Sequence, residues 1–261
     1  MFATVGAVVT RERRTRRRRL PPDEARLALL EAGRDYVYAN PLGEPLDHVR
    51  VTEIVKGLGL SIGAVYHYWE SQDDYRDDLL DLLLSPEQFP NVQQAAEAVA
   101  DRMADDPSFE ELARVVAGIS YQGLAVTPER ERLTLALLAY DDPGIDERLG
   151  AQADAVGARW AELFATHFPA YGLEPRPPFT YETIAVVLMA MVEGMHLRRT
   201  VSPSAVSREL APGWDLFASS ALAFVLAASR PTDAATDPAG GDRDLWDLAQ
   251  RVIPRRTPTT P

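Results

Sequence analysis

The apolar residues of this chain recur three and four positions apart along most of its length, and this constrains the fold more than any other feature of the sequence. Val51, Ile54, Val55 and Leu58 form one such set. This spacing places their side chains on one face of an α-helix. The period-two alternation of a half-buried β-strand is not convincing anywhere. The sequence therefore predicts an all-α fold.

Capping residues predict where the helices begin and end. Asp23 and Thr52 are expected to cap the first and second helices, and Gly59 is expected to end the second in a left-handed conformation. Prolines that follow a capping residue are typical of the first helical position. They predict three further helix starts: Pro107, Pro128 and Pro143.

Charge is distributed unevenly along the chain. The 261 residues include 27 basic and 39 acidic side chains, for a net charge of −12. Seven of the basic residues are arginines between Arg11 and Arg19, and outside that run the chain holds 20 basic and 38 acidic residues. A basic arm on an acidic body is typical of proteins that contact nucleic acid or an anionic surface.

The chain contains no cysteine, which excludes disulfides, thiolate nucleophiles and cysteine-based metal sites. No apolar run approaches the length of a membrane span, and the short apolar stretch near the N-terminus precedes the arginines, whereas a secretory signal has the opposite order. We therefore expect a cytoplasmic protein with no membrane partner.

The segment that follows Gly59 has the layout of a helix-turn-helix, whose second helix enters the major groove of DNA. Ser61 is expected to cap a helix of about two turns, in which Val65 and Trp69 face the core with Leu60 beside them. The opposite face of that helix carries small and hydrogen-bonding residues: Gly63, Ala64, Tyr66 and His67. The alternative is that the aromatic residues 66–69 only close a small core.

The stretches VTEIV (51–55) and GLSIGAVYHYW (59–69) resemble the DNA-binding motif of the TetR family of bacterial transcriptional regulators. The family motif has an Ile-Ala helix, a Gly-Val-Ser turn, then Gly-Thr-Leu-Tyr and a terminal aromatic residue. The resemblance implies a homodimeric repressor that binds a palindromic operator and responds to a small-molecule effector. It implies DNA contacts at these residues: Thr52, Ser61, Gly63, Ala64, Tyr66, His67 and Tyr68.

Two further positions of this interface depart from the family pattern. Gln72 stands where a lysine often opens the next helix and touches phosphate, and Ile62 stands where many members carry a basic residue. Arginines of the arm could supply the missing phosphate contacts, either by entering the minor groove or by raising non-specific binding alone. The arm residues expected at the DNA are Arg16, Arg17, Arg18 and Arg19.

These features divide the chain into four segments. Residues 1–20 are a basic arm that is expected to be disordered, and residues 21–84 form the helix-turn-helix DNA-binding domain. Residues 85–230 form a larger helical domain for effector binding and dimerisation. Residues 231–261 are a Pro/Thr-rich tail that is expected to be mostly flexible, and docking of a short helix within it stays open.

Two strongly apolar helices, predicted over residues 180–199 and 214–229, are suited to a dimer interface, and the first is similar to the family's first dimerisation helix. A helix that is apolar almost all round must be covered on both sides. Ordinary packing within one chain is the alternative. The expected interface residues are Ile184, Val187, Leu188, Met191, Met195, Phe217 and Phe224.

Between the DNA-binding helices and the two apolar helices, seven residues, most of them aromatic and several with polar tips, are candidates for lining an effector cavity. They are Met103, Phe109, Tyr121, Tyr140, Trp160, Phe164 and His167. Plain packing is the alternative for each of them.

No constellation of catalytic residues is evident. Glu193-x-x-His196 has the spacing of a di-iron motif, but that site needs two such pairs. The fingerprints of hydrolases, nucleotide-binding loops and dinucleotide sites are absent. We therefore expect no enzyme, metal site or cofactor. A helical ligand-binding or protein-interaction module with a degenerate helix-turn-helix is the alternative to a DNA-binding regulator.

Overall fold

The computed structural model describes residues 21–40, 49–125, 128–139 and 141–232, and within these ranges it describes residues 123–131 by their backbone alone. The arm with Arg16 to Arg19, the connection 41–48, Tyr140 and the tail beyond residue 232 lie outside the described residues. Within the described ranges the chain forms these α-helices: α1 (Pro22–Ala39), α2 (Val51–Leu58), α3 (Gln72–Leu83), α4 (Asn91–Met103), α5 (Phe109–Ala125), α6 (Pro128–Leu138), α7 (Pro143–His167), α8 (Tyr181–Val201), α9 (Pro203–Val206) and α10 (Leu216–Ala228).

Short strands accompany the helices. β1 (Leu173–Pro175) pairs antiparallel with β4 (Ser229–Pro231), and β2 (Glu209–Ala211) pairs with β3 (Trp214–Asp215). Strands of two or three residues are too short for period-two alternation to reveal. They tie the ends of α10 to its surroundings, and the all-α fold class is confirmed.

Several predicted helix boundaries are confirmed. Gly59 ends α2 in the left-handed region, with φ of 65°. α6 and α7 begin at Pro128 and Pro143, and the Asp142 carboxylate accepts hydrogen bonds from the amides of Gly144 (2.8 Å) and Ile145 (3.3 Å).

Three boundary predictions are wrong. Asp23 and Thr52 lie inside the first turns of their helices, because Pro21 and Arg50 occupy the cap positions. α5 begins at Phe109, two residues later than Pro107 predicts. There the Ser108 hydroxyl accepts from the Glu111 amide (3.2 Å), while the Glu111 carboxylate accepts from the Ser108 amide (2.9 Å), so this reciprocal cap fixes the helix start.

The described core consists of several clusters. One fills the head, which we define as α1 to α3, and it also takes in Leu133 and Leu137 of α6 with Ile145 and Leu149 of α7. The others lie in the body, α4 to α10, where α4 packs on α5 and α7 packs on α8. Among the described residues, no helix is both long and apolar enough to cross a membrane.

Candidate nucleic-acid interface and central cavity

The recognition segment, residues 61–69, is tighter than the predicted two-turn α-helix. A 3-10 turn over Ile62–Ala64 leads into further turns that end before Trp69, and the Ser61 side chain makes no capping bond. The Val65 and Tyr68 amides donate to carbonyls three residues earlier, at 3.1 and 2.8 Å. Bonds of this kind tighten a helical turn, and Gly63 lowers the preference for a regular α-helix.

Two buried side chains anchor the recognition segment, as the sequence predicts. Val65 is fully buried and Trp69 is 4% exposed. The Trp69 indole donates a hydrogen bond to the Asp78 carboxylate of α3, which also accepts from Arg26 of α1. The Arg26 guanidinium lies 5.4 Å from the centre of the Trp69 ring system, within cation–π range. The segment is therefore held against both α1 and α3.

The outer side of the recognition segment faces solvent. Tyr66 is 48% exposed and Ile62 is 43% exposed. The other predicted contact residues that are exposed are Thr52, Ser61, Gly63 and His67. Leu60 is also 45% exposed, so its predicted place beside the core is wrong. It precedes the 3-10 turn in an irregular stretch, where a 100° helical wheel does not apply.

The remaining three predicted contact residues, Ala64, Tyr68 and Gln72, are half-buried. Tyr68 packs against the head core, with ring centres 5.0 Å from His67 and 5.8 Å from Trp69. The Gln72 amide donates to the Val49 carbonyl at 3.4 Å, a long bond that DNA contacts could replace. These three residues line the base of the exposed face.

The body encloses a cavity of about 420 Å³ between α4, α5, α6, α7, α8 and α10, which we call the central cavity. Of the predicted effector residues, four line it: Phe109, Trp160, Phe164 and His167. Met103 and Tyr121 are not among its lining residues, which corrects their assignment. Met103 lies behind Tyr171, whose hydroxyl is 3.5 Å from the Met103 sulfur and which itself lines the cavity.

Tyr121 packs beside the cavity. Its ring stacks on Phe217 with centres 5.5 Å apart and lies 6.0 Å from the ring of His196. Its buried hydroxyl has no hydrogen-bond partner among the described residues. Tyr121 therefore supports the wall formed by Phe217 and His196, both of which line the cavity.

Sequence reasoning found His167 but missed the other polar residues of the cavity lining, among them Glu193 and His196 of α8. The spacing of Glu193 and His196 suggests only half of a metal motif. Among the described residues, no group of three or more metal-binding side chains comes together. Glu193 is an exposed residue, yet partial desolvation by the surrounding protein raises the pKa of its carboxyl.

The predicted dimer residues require correction. Ile184 is fully buried and Phe217 is 4% exposed inside a single chain, so neither offers surface to a partner. The others are half-buried: Val187, Leu188, Met191, Met195 and Phe224. The large apolar residues that α8 and α10 do expose are Val186 (61%), Leu197 (45%), Val201 (71%) and Leu226 (54%). Because α8 carries apolar residues on all sides, its periodicity could not identify the outward face.

No family model and no curated protein matches this sequence. A TetR transcription regulator from Haloarcula marismortui matches with a TM-score of 0.53 and 12% identity over 80% of this chain and 100% of that chain. The chain has a TetR-like fold. Reduced Escherichia coli NemR gives a TM-score of 0.52 with 16% identity, covering 80% of this chain and 98% of that one.

The TetR-like fold implied by the motif at residues 51–69 is therefore confirmed for the greater part of the chain. At identities of 12 and 16% the likeness concerns the fold, and one fold can serve several functions. The function must be argued from the interface and the cavity of this chain.

Proposed function

We propose that this chain is a sequence-specific DNA-binding transcription regulator, a ligand-responsive repressor that acts as a homodimer on a palindromic operator. The observation that carries the proposal is the recognition segment, which stands exposed on a buried anchor of Val65 and Trp69. A short segment whose inner side chains are buried in a core and whose outer side chains face solvent can approach base edges without unfolding.

The side chains of the exposed face suit a DNA groove. Gly63 adds no side-chain bulk, and a methyl group placed there would meet only the Ser61 hydroxyl, at 3.7 Å. The hydroxyls of Ser61 and Tyr66 can donate to phosphate oxygens, and Ile62 can contact a thymine methyl group. Close approach of the backbone and hydrogen bonds to phosphate would position His67 near the bases.

Substitution of Tyr66 tests the interface. In gel-shift titrations with the DNA upstream of the protein's own gene, we expect Tyr66→Ala to weaken specific binding more than about tenfold, which corresponds to loss of one good contact of about 1.4 kcal/mol. Leu27→Ala is the matched control, since Leu27 of α1 is also 48% exposed. Unchanged operator affinity in folded Tyr66→Ala would contradict the contact.

The salt dependence of binding tests the arm. Each phosphate neutralised by an arginine contributes about −0.9 to the slope of log affinity against log salt concentration. We expect removal of residues 1–19 to make the slope shallower, and an unchanged slope would show that the arm does not touch DNA. Absence of specific binding even at low salt would instead favour a protein-interaction module with a degenerate helix-turn-helix.

The homodimer is supported by the exposed apolar surface of α8 and α10. Val186, Leu197 and Val201 are 11 and 4 residues apart along α8, which places them on one face of the helix. Leu226 of α10 is also exposed. An exposed row of large apolar residues is typical of a protein–protein interface, and a two-fold dimer presents two recognition segments to two half-sites.

Sedimentation velocity tests this interface with a double substitution, Val186→Asp with Leu226→Asp. We expect monomers, because a desolvated carboxylate in an apolar interface is costly. Leu210→Asp is the control, since Leu210 of β2 is 57% exposed but lies outside α8 and α10. A dimer that survives the double substitution would place the interface elsewhere.

Helix α6 offers a route from the central cavity to the head. Leu133 and Leu137 are buried in the head core, while Thr134, Leu135 and Leu138 line the cavity. A ligand that repositions α6 would change how the two recognition segments are held, and it can lower operator affinity only by its differential affinity for the two arrangements. Fluorescence anisotropy of labelled operator, with a cavity ligand titrated in, measures this coupling directly.

A further inference from the structure

The central cavity has a single carboxylate in its described lining. Aliphatic and aromatic residues dominate the wall, and Glu193 is the only Asp, Glu, Lys or Arg among the described residues that line it. Glu193 is exposed, so solvent compensates its charge, but a ligand that covered the carboxylate without offering a partner group would leave it desolvated, which is costly. Its presence therefore constrains which ligands the cavity can accept.

No partner within the described residues compensates Glu193. It makes no hydrogen bond and no ion pair with them, and burial alone raises the pKa of its carboxyl. The cation Arg199, six residues further along α8, lies over the ring of Tyr121, 5.7 Å from its centre. The carboxylate is thus open to solvent and to whatever occupies the cavity.

Glu193 is itself an exposed residue of the lining, so its carboxylate lies where the cavity meets solvent. Three other lining residues are also exposed, Leu135 (42%), Leu138 (60%) and Leu197 (45%). Glu193 and Leu197 are four residues apart on α8 and are therefore neighbours on its surface, at the border between the cavity and the exposed row of the proposed dimer interface. A ligand with its apolar part inside the cavity would place a polar end close to this carboxylate.

The interior of the cavity suits such an apolar part and also tolerates a positive charge. The aromatic rings of Trp160, Phe164 and Phe168 line it. The ring centres of Trp160 and Phe164 are 5.9 Å apart, and those of Phe164 and Phe168 are 5.4 Å apart. The faces of aromatic rings attract cations, particularly in desolvated sites. Within the described part of the chain, no lysine or arginine lines the cavity to attract an anionic ligand.

We propose that the effector is an amphipathic cation, with an apolar body in the central cavity and a protonated amine or quaternary ammonium group against Glu193. This inference rests on the proposed function, in which the cavity is the effector site. It adds the chemical class of the effector, which neither the fold nor the DNA-binding motif specifies.

Three probes of equal chain length separate charge from apolar burial: decyltrimethylammonium, decan-1-ol and decanoate, each below its micellar concentration. Isothermal titration calorimetry on the full-length protein gives the three dissociation constants. We expect the cation to bind at least about tenfold more tightly than the alcohol, as one ion pair in a partly buried site allows. Decanoate should bind more weakly than either.

Glu193→Gln keeps the shape of the side chain and removes the charge. We expect it to bring the affinity for the cation close to that for the alcohol, while the affinity for the alcohol stays the same. Glu162→Gln is the matched control, because Glu162 is exposed on α7 and does not line the cavity. It should leave the preference for the cation intact, which excludes a general effect of net charge.

The possible failures are distinguishable. If the alcohol or decanoate binds as tightly as the cation, the inference is overturned while the effector site stands. If the cation preference survives Glu193→Gln, the carboxylate does not select the ligand and the inference is also overturned. If none of the probes binds and none changes operator affinity, the effector site itself fails, and the inference fails with it.

Discussion

Trp69 in the head and Trp160 in the body are almost equally buried, at 4% and 8% exposure, but their surroundings differ. Trp69 is enclosed by the ring of Tyr75, with centres 4.9 Å apart, the guanidinium of Arg26 and the carboxylate of Asp78. Trp160 borders the central cavity. A packed side chain fixes the structure around it, whereas a side chain beside a void leaves room for a ligand.

This difference matches what each region has to do in the proposed regulator. The recognition segment needs one fixed geometry to match a duplex, and the head core supplies it through interactions with both α1 and α3. The body needs space for a ligand and an element that can shift, and α6 lies between the cavity and the head core.

Truncation of the two tryptophans to alanine should have the largest effect on the free energy of unfolding, and the effect should differ between the head and the body. We expect Trp69→Ala to lower the free energy of unfolding by about 3–5 kcal/mol, because it leaves a void in a packed core. Trp160→Ala should cost less, because the side chain already lacks partner atoms towards the cavity. Urea titrations followed by circular dichroism measure both. A Trp160→Ala cost equal to that of Trp69→Ala would show that the body is as tightly packed as the head.

Two buried helical glycines should respond to alanine with opposite signs. A methyl group on Gly33 of α1 would overlap the Tyr75 hydroxyl, which donates to the Leu29 carbonyl at 2.9 Å. We expect Gly33→Ala to cost about 1–3 kcal/mol, as for overpacked cores.

Gly157 of α7 is the counterpart in the body. A methyl group there would meet only the Met189 sulfur, at an ordinary 3.7 Å. Gly157→Ala should therefore stabilise the protein by about 0.5–1 kcal/mol through the higher helix propensity of alanine. The same urea titrations apply, and destabilisation by Gly157→Ala would refute the looser packing around it.

The sequence predicted the head better than the body, for a physical reason. In the head, the four-residue spacing of Val65 and Trp69 identifies one inward direction, and both are buried. The tightening of the recognition segment into a 3-10 turn could not be foreseen, and it left Leu60 exposed. Such details depend on tertiary packing, which overrides local propensity.

In the body, apolar residues occur on every side of α8, so spacing alone could not separate buried Ile184 from exposed Val186. The predicted effector residues were chosen for aromatic character, which identifies a wall but not a cavity. A signal for Glu193 was present, since it is the one acidic residue between Thr183 and Arg198. An isolated carboxylate in an apolar helix suggests a ligand as well as a metal.

The contact between the two regions should respond weakly to substitution. Arg148 of α7 lies 3.3 Å from a carboxylate oxygen of Asp77 and 3.0 Å from one of Asp81, both in α3. These groups are largely exposed, so Arg148→Ala should cost about 0.2–1 kcal/mol. The cost should shrink in 1 M salt, where charges are screened beyond about 3 Å. A cost that is large and independent of salt would mean that the ion pairs hold the head and body together.

The pH dependence of stability should show the smallest effect, and it concerns the carboxyl group of Glu193. Partial desolvation raises its pKa in the folded protein above the ordinary value of 4.5, so the folded state favours the protonated form. The stabilisation is fully present below the unfolded pKa and is lost as pH rises through the raised folded pKa. Because Glu193 is exposed, the loss should be modest.

Glu193→Gln isolates this effect, because the amide cannot ionise. Its stability relative to the wild type should therefore rise between about pH 4 and pH 7 in urea titrations. Glu162→Gln serves again as the control for removing one acidic group from the body. If the advantage of Glu193→Gln does not grow with pH, or if Glu162→Gln gains as much, the carboxylate of Glu193 is no more costly in the cavity wall than one on the surface. The charge of Glu193 would then not distinguish the cavity wall of the body from an ordinary protein surface.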